Sequence, residues 1–99
     1  VEEQPTVFSF RVGHGWPNPT SAISTLAFSL PYDQRVRLDV FDVRGRRVRT
    51  VADRVFETGD HRVQWDGRSS SGARVADGLY FYRLNAESGE RVRRVLLVR

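Results

Sequence analysis

Apolar residues recur at every second position through most of this chain, and glycine-centred turns separate the runs. Ser24 to Leu30 (S-T-L-A-F-S-L) sets Leu26, Phe28 and Leu30 on one face and small residues on the other. That period of two predicts a half-buried strand. Arg35 to Val43 repeats it, with Val36, Leu38 and Val40 opposed to Arg35, Arg37 and Asp39. Arg44-Gly45 then predicts a hairpin turn in which Gly45 takes positive φ. Arg46 to Ala52 returns with Val48 and Val51 as apolar anchors, one of them out of strict phase, which predicts a bulge.

Thr58-Gly59-Asp60 turns the chain again, and His61 to Trp65 directs Val63 and Trp65 inward. Asp66-Gly67 opens a loop whose S-S-S-G, Ser69 to Gly72, is flexible by composition, and Asp77-Gly78 closes it. Leu79 to Ala86 puts Tyr80, Tyr82 and Leu84 on one face and Phe81 and Arg83 on the other. Ser88-Gly89-Glu90 predicts the last hairpin, and Arg91 to Val98 the final strand. At the other end, Thr6 to Val12 predicts a short first strand with Val7 or Phe8, and Phe10, inward. The two prolines and two glycines of Gly13 to Pro19 then interrupt any ladder. Val1 to Pro5 reads as the remnant of a linker, leaving residues 6–99 as a single domain. About seven short strands and no 3.6-residue apolar stripe make this an all-β antiparallel sandwich.

Composition narrows the chemistry. Ninety-nine residues bury a modest core with little room for a deep pocket. Cysteine is absent, so disulfides and thiolate metal sites are excluded. All 16 basic residues are arginine, for a net charge of +4 and a pI near 10.6. With 12 acids interspersed among them and no aromatic-and-basic binding motif, specific nucleic-acid binding is not expected. No apolar run approaches the ~20 residues that span a bilayer, so no transmembrane segment is expected. The start at Val1, without Met or an apolar signal core, reads as a mature or excised piece of a longer protein.

No constellation for catalysis, a cofactor or a metal emerges. Ser69, Ser70 and Ser71 lack a glycine elbow and a positioned base. Asp39 and Asp42 lie among arginines, as surface ion pairs do. His14 and His61 are the sole histidines, and Asp60, Asp66 and Asp77 lack the alternating acid spacing of a Ca²⁺ loop. Trp65-Asp66-Gly67 reads as structure: a core aromatic, an Asx-turn carboxylate and a glycine at the awkward φ, with Asp77-Gly78 read the same way. Arg44, Arg46, Arg47 and Arg49 at one hairpin, and Arg91, Arg93 and Arg94 on the last strand, would meet phosphate or lipid anions if they were neighbours. Protection of exposed strand edges explains the same charges. Trp16, Tyr32 and Phe81 are the aromatics expected at the surface; a flat row of them would bind carbohydrate.

Four segments resemble one family. Trp16-Pro17-Asn18-Pro19-Thr20 is similar to its opening Y-P-N-P-F, with Trp and Thr at the aromatic positions. Leu38 to Val51 resembles its strand, glycine turn and strand, and W-D-G-R through G-A-R-V-A-D-G-L-Y-F-Y-R-L its closing half. R-R-V-L-L-V-R resembles its terminal strand, with Arg where Lys is frequent. The resemblance is to the immunoglobulin-like domain of flagellar hook-capping proteins and its relative, the C-terminal sorting domain of the type IX secretion system. It implies an immunoglobulin-like (fibronectin III-like) fold and no enzymatic activity. It further implies a C-terminal module that sorts a larger bacterial protein for secretion and attachment to the outer-membrane surface, with the secretion machinery or neighbouring domains as partners. An anionic surface lipid or polysaccharide is a further expected contact. The residues it singles out for that surface are Arg91, Arg93, Arg94, Val95, Leu96 and Leu97, with Gly78 and Tyr80 shaping the adjoining strand. The hook-capping branch implies a scaffold or spacer, and a carbohydrate-binding module is the remaining alternative.

Overall fold

The computed structural model describes residues 7–99. The linker at Val1 to Pro5, and Thr6, lie outside the described residues. Seven strands follow in order: β1 (Arg11–Val12), β2 (Ser24–Leu30), β3 (Gln34–Asp42), β4 (Arg47–Phe56), β5 (Gly59–Trp65), β6 (Gly78–Ala86) and β7 (Gly89–Leu97). They form two antiparallel sheets, β1-β2-β5 and β4-β3-β6-β7, which face each other as an immunoglobulin-like sandwich.

The alternation read from the sequence is what fills the space between the sheets. Leu26, Phe28 and Leu30 from β2 meet Val36, Leu38 and Val40 from β3, with Val12, Phe56, Trp65, Tyr80, Tyr82, Leu84, Val95 and Leu97 completing the core. Each of these side chains sits where a strand turns every second residue inward. Phe28 and Phe56 meet edge to face at 5.2 Å, and Trp65 packs against the Tyr80 ring at the same distance. One polar pair is trapped there. Burial pushes the Tyr82 phenol up to about 12, with Ser24 alongside opposing the shift. Neither Tyr82 Oη nor Ser24 Oγ completes a hydrogen bond of good geometry among the described residues.

The β3–β4 hairpin carries two register shifts, between Leu38 and Asp39 and between Val40 and Phe41. They let both Val48 and Val51 lean on the core, which accounts for the valine that breaks phase. Gly45 holds φ +78 at the tip, and Asp42 Oδ1 accepts the N–H groups of Arg44 and Arg46. Those donors, chiefly the Arg46 N–H, hold the Asp42 carboxyl below its ordinary range.

Four expectations change. The first strand is only Arg11–Val12; Val7 is 83% exposed, while Phe10 leans on the core and Phe8 is half-buried beside Gly59. β4 runs on to Phe56, and β5 begins at Gly59. Asp39 is buried rather than superficial, because Arg37 Nε (2.9 Å) and Thr50 Oγ1 (2.6 Å) supply donors to it. The serine loop is held in place: Ser69 N–H donates to Ala73 O, Gly72 N–H to Ser69 O, and Ser70 N–H to Val48 O.

Candidate functional site

Strand geometry divides the predicted partner surface. Along β7, alternate side chains point to opposite faces, so Val95 and Leu97 are core residues with no exposed surface. Leu96 points outward and is 38% exposed, with Arg94 beside it on the same face. Arg91 and Arg93 share the inward parity of Val95, opposite Leu84 and Tyr82 of β6, but on the edge strand they are not enclosed. Arg93 Nη2 donates to Val12 O across the gap between the sheets at 3.0 Å, and the Arg91 guanidinium lies 4.9 Å from the Phe10 ring. The six residues therefore supply core, edge and outer face, and only Arg94 and Leu96 stand together on one exposed surface.

β7 is the edge of its sheet, and the carbonyls of its outer row are occupied. Leu96 turns its C=O to Thr20 N–H (2.8 Å) and its N–H to Asn18 Oδ1 (2.9 Å), away from β6. By the two-residue repeat Glu90, Val92 and Arg94 face the same way. Arg91 Nη1 donates to Glu90 O at 2.8 Å, Arg93 Nη1 to Val92 O at 2.9 Å, and Asn18 Nδ2 reaches Arg94 O at 3.5 Å. Val98 N–H completes the row on Thr20 O. The arginines thus cap edge carbonyls of their own strand, which is the edge-protection reading in atomic form.

The W-P-N-P-T segment makes this possible. Trp16 exchanges two backbone hydrogen bonds with Thr25 of β2, and four residues later Thr20 pairs in parallel with Leu97 of β7. Between them Pro17 and Pro19, both after cis bonds, carry the chain from one sheet to the other. Asn18 sits at the crossing and serves β7 with both ends of its amide. Sequence reasoning missed that role, because an amide between two prolines shows no partner until the strand it meets is placed.

At the W-D-G corner Trp65 is buried and its Nε1–H donates to Arg68 O at 2.9 Å. Asp66 Oδ1 accepts Arg68 N–H, the expected Asx turn, and also the Arg49 guanidinium at 2.8 Å. Gly67 holds φ +73, and a Cβ there would lie 3.0 Å from Arg99 Nη2 and 3.2 Å from Ala22 O. Arg99 binds Gly67 O and Val75 O, and its N–H donates to Asp77 Oδ2. Asp77 therefore departs from the expected turn role and ties the last residues to the loop. Gly78 begins β6, and the Tyr80 hydroxyl donates to Ala76 O, with burial the main cause of its raised pKa.

The two basic clusters do not merge. β4 and β7 are opposite edges of the four-stranded sheet, separated by β3 and β6. The expected aromatics are also dispersed. Trp16 crosses beside β2 with Arg62 stacked 5.6 Å away, Tyr32 lies in the β2–β3 connection, and Phe81 is half-buried on the outer face of the other sheet. His61 is wedged between Phe28 and Phe56, 2.6 Å from Glu57 O, and is half-buried. Among the described residues no three His, Asp or Glu side chains converge as metal ligands, and no helix is long and apolar enough to cross a membrane.

What the register does bring together is a cross-strand row that no sequence motif announces. Arg47 of β4 faces Phe41 of β3, Phe41 faces Phe81 of β6, and Phe81 faces Arg94 of β7. Leu79 and Leu96 form the next row. This outer face groups unburied apolar side chains from three strands, with Phe41 and Phe81 half-buried and Val92 and Leu96 exposed.

The profile of the FlgD Ig-like domain family matches residues 20–90. No curated protein matches the chain. Among solved structures, the chain is similar to dimeric latent PorU from Porphyromonas gingivalis, with 21% identity and a TM-score of 0.72. That match covers 99% of this chain and 10% of PorU. It is also similar to PorZ, described as an essential bacterial surface component of the type-IX secretion system of the same organism. There the identity is 20% and the TM-score 0.56, over 91% of this chain and 11% of PorZ. The chain thus spans about a tenth of either protein, and these likenesses concern the fold.

Proposed function

This chain belongs to the FlgD Ig-like domain family, and from that premise we propose that it is a non-catalytic module of a larger secreted or cell-surface bacterial protein. Its work is to sort that protein for export and attach it at the surface, with the secretion machinery or adjoining domains as its contacts. One observation carries this reading: the whole chain superposes on a tenth of PorU, so the fold occurs as one module of a far longer protein. The second likeness, to a surface component of the type-IX system, supports the same direction.

The interior agrees with a carried module. Closely packed aromatic and aliphatic side chains fill the sandwich, and the polar groups at its corners are consumed by turns and strand ends. Fold alone never fixes function, so the test is cellular. A reporter fused to this chain is fractionated in hosts with and without the type IX machinery. Machinery-dependent appearance on the surface is the expected result; identical retention in both hosts would sink the sorting reading.

A second reading, a scaffold or spacer of the hook-capping type, rests on the family profile itself. It requires self-association or packing against a flanking domain, which sedimentation of the isolated chain and of a longer fragment would register. The carbohydrate-binding alternative finds little support, since Trp16, Tyr32 and Phe81 do not form a row.

A further inference from the structure

The outer face of the four-stranded sheet holds an apolar surface that the sandwich does not need. Val92 is 50% exposed, Leu96 38%, and Val43, just past the end of β3, 66%. Val43 and Val92, with half-buried Phe41 and Phe81, line a groove of about 300 Å³ that also touches Asp42, Gly45 and Arg83, and Leu96 lies on the same face beyond it. Isolated exposed valines are ordinary on a protein surface, but a contiguous apolar patch framed by charge marks an interaction site.

Asp42 in the groove wall is paired with Arg46, and the charges left without a partner around it among the described residues are all positive. Arg47 and Arg94 close the two ends of the Phe41–Phe81 row, and Arg44 stands at the hairpin tip beside Val43. Their side chains make no ion pair or hydrogen bond among the described residues. The acids nearest to them are already engaged. Asp42 is taken by its own turn and Arg46, Asp39 by Arg37 and Thr50, and Glu90 by Arg83 at 2.8 Å. This contrasts with Arg91 and Arg93, whose guanidinium groups are spent on backbone carbonyls.

The geometry points to this face as the docking site for an acidic segment of a protein partner, one that places an apolar side chain between Phe41 and Phe81 and carboxylates on Arg47 and Arg94. Charge complementarity selects that occupant: guanidinium forks match carboxylates with two parallel hydrogen bonds. A second copy of the chain is disfavoured, because a face-to-face pair would bring like-charged arginines together at both ends of the row. The inference deepens the reading above, in which the chain docks on machinery or a neighbouring domain, and it rests on that reading for its partner.

The test uses the whole chain and an array of nine-residue peptides in which Asp or Glu alternates with Phe, Tyr, Val or Leu. A matched array carries Lys at the acidic positions. Binding confined to the acidic array is expected, together with amide shifts limited to the outward residues of β3, β6 and β7 and to Arg47 at the start of β4. The double change Arg47→Gln and Arg94→Gln, at exposed positions, is expected to weaken binding at least tenfold. Equal binding to both arrays, shifts elsewhere, or no binding at all would overturn the site. So would dimerisation through this face, or a preference for vesicles containing anionic phospholipid over the peptides. The reporter assay stays separate. Machinery-dependent export without peptide binding removes this site alone, whereas peptide binding without machinery dependence removes the sorting reading alone.

Discussion

β7 presents two surfaces made from the same few residues, and they are finished differently. Along its edge, every outward carbonyl from Glu90 to Leu96 has a donor, from Arg91, Arg93, Asn18 or Thr20. On its outer face, one peptide plane away, Val92 and Leu96 stay exposed and Arg94 makes no side-chain contact of either kind among the described residues. The same arginine chemistry closes one surface and leaves the other available. An edge left bare recruits any passing strand, whereas a charged rim around an apolar face selects its partner.

The largest way to break this contrast is to remove the core beneath both surfaces. Trp65→Ala should cost about 3–5 kcal/mol, because a fully buried aromatic and its bond to Arg68 O are lost together. Urea unfolding would register this as a fall in midpoint at constant slope. Both surfaces should fail together, whereas the changes below discriminate between them.

Tyr82 supplies the next effect. Its folded pKa is raised, so the stability it contributes is fully present below the unfolded value near 10 and is lost as pH climbs towards about 12. The loss is on the order of 2 kcal/mol by linkage, with its magnitude set by the size of the shift. Melting temperature followed from pH 9 to 12 should fall, and Tyr82→Phe should flatten this component while leaving neutral stability unchanged or improved. The Phe variant removes a buried hydroxyl that has no partner in good geometry.

Asn18→Ala tests the sealed edge. It withdraws two hydrogen bonds from β7 and should cost about 1–1.5 kcal/mol, the usual net worth of such contacts at a partly exposed site. Its sharper signature is association: light scattering on mild heating should rise for this variant before any loss of secondary structure. The smallest effect belongs to the open face. Arg47→Gln and Arg94→Gln should each change stability by less than about 0.5 kcal/mol, since neither side chain has an intramolecular partner to lose. A drop of several degrees in thermal melting for either would mean that the face is structural.

The fold was legible because its core residues are its pattern. Leu26, Phe28, Leu30, Val36, Leu38 and Val40 alternate without interruption, and a sandwich is the fold class that buries such runs on one side. The phase error at Val48 and Val51 was readable as a bulge for the same reason. The candidate site was not legible in that way. Reading Arg91 to Leu97 as one surface ignores that a strand divides its side chains between two faces, so Val95 and Leu97 went to the core. Whether Arg93 reaches a carbonyl or a partner depends on where β1 ends, a matter of tertiary placement. The Arg47–Phe41–Phe81–Arg94 row draws on four strands of two separate hairpins, and no local spacing encodes it.

The edge caps on β7 also bear on how the domain comes together. Asn18 and Thr20 can guard the strand only after the N-terminal segment has crossed between the sheets. Arg91 and Arg93 each reach the carbonyl of the residue just before, so their cover requires nothing but an extended strand. A half-assembled sheet is when a bare edge is most dangerous. Over Glu90 and Val92 this strand carries its own guard through that interval, and the crossing segment finishes the row later.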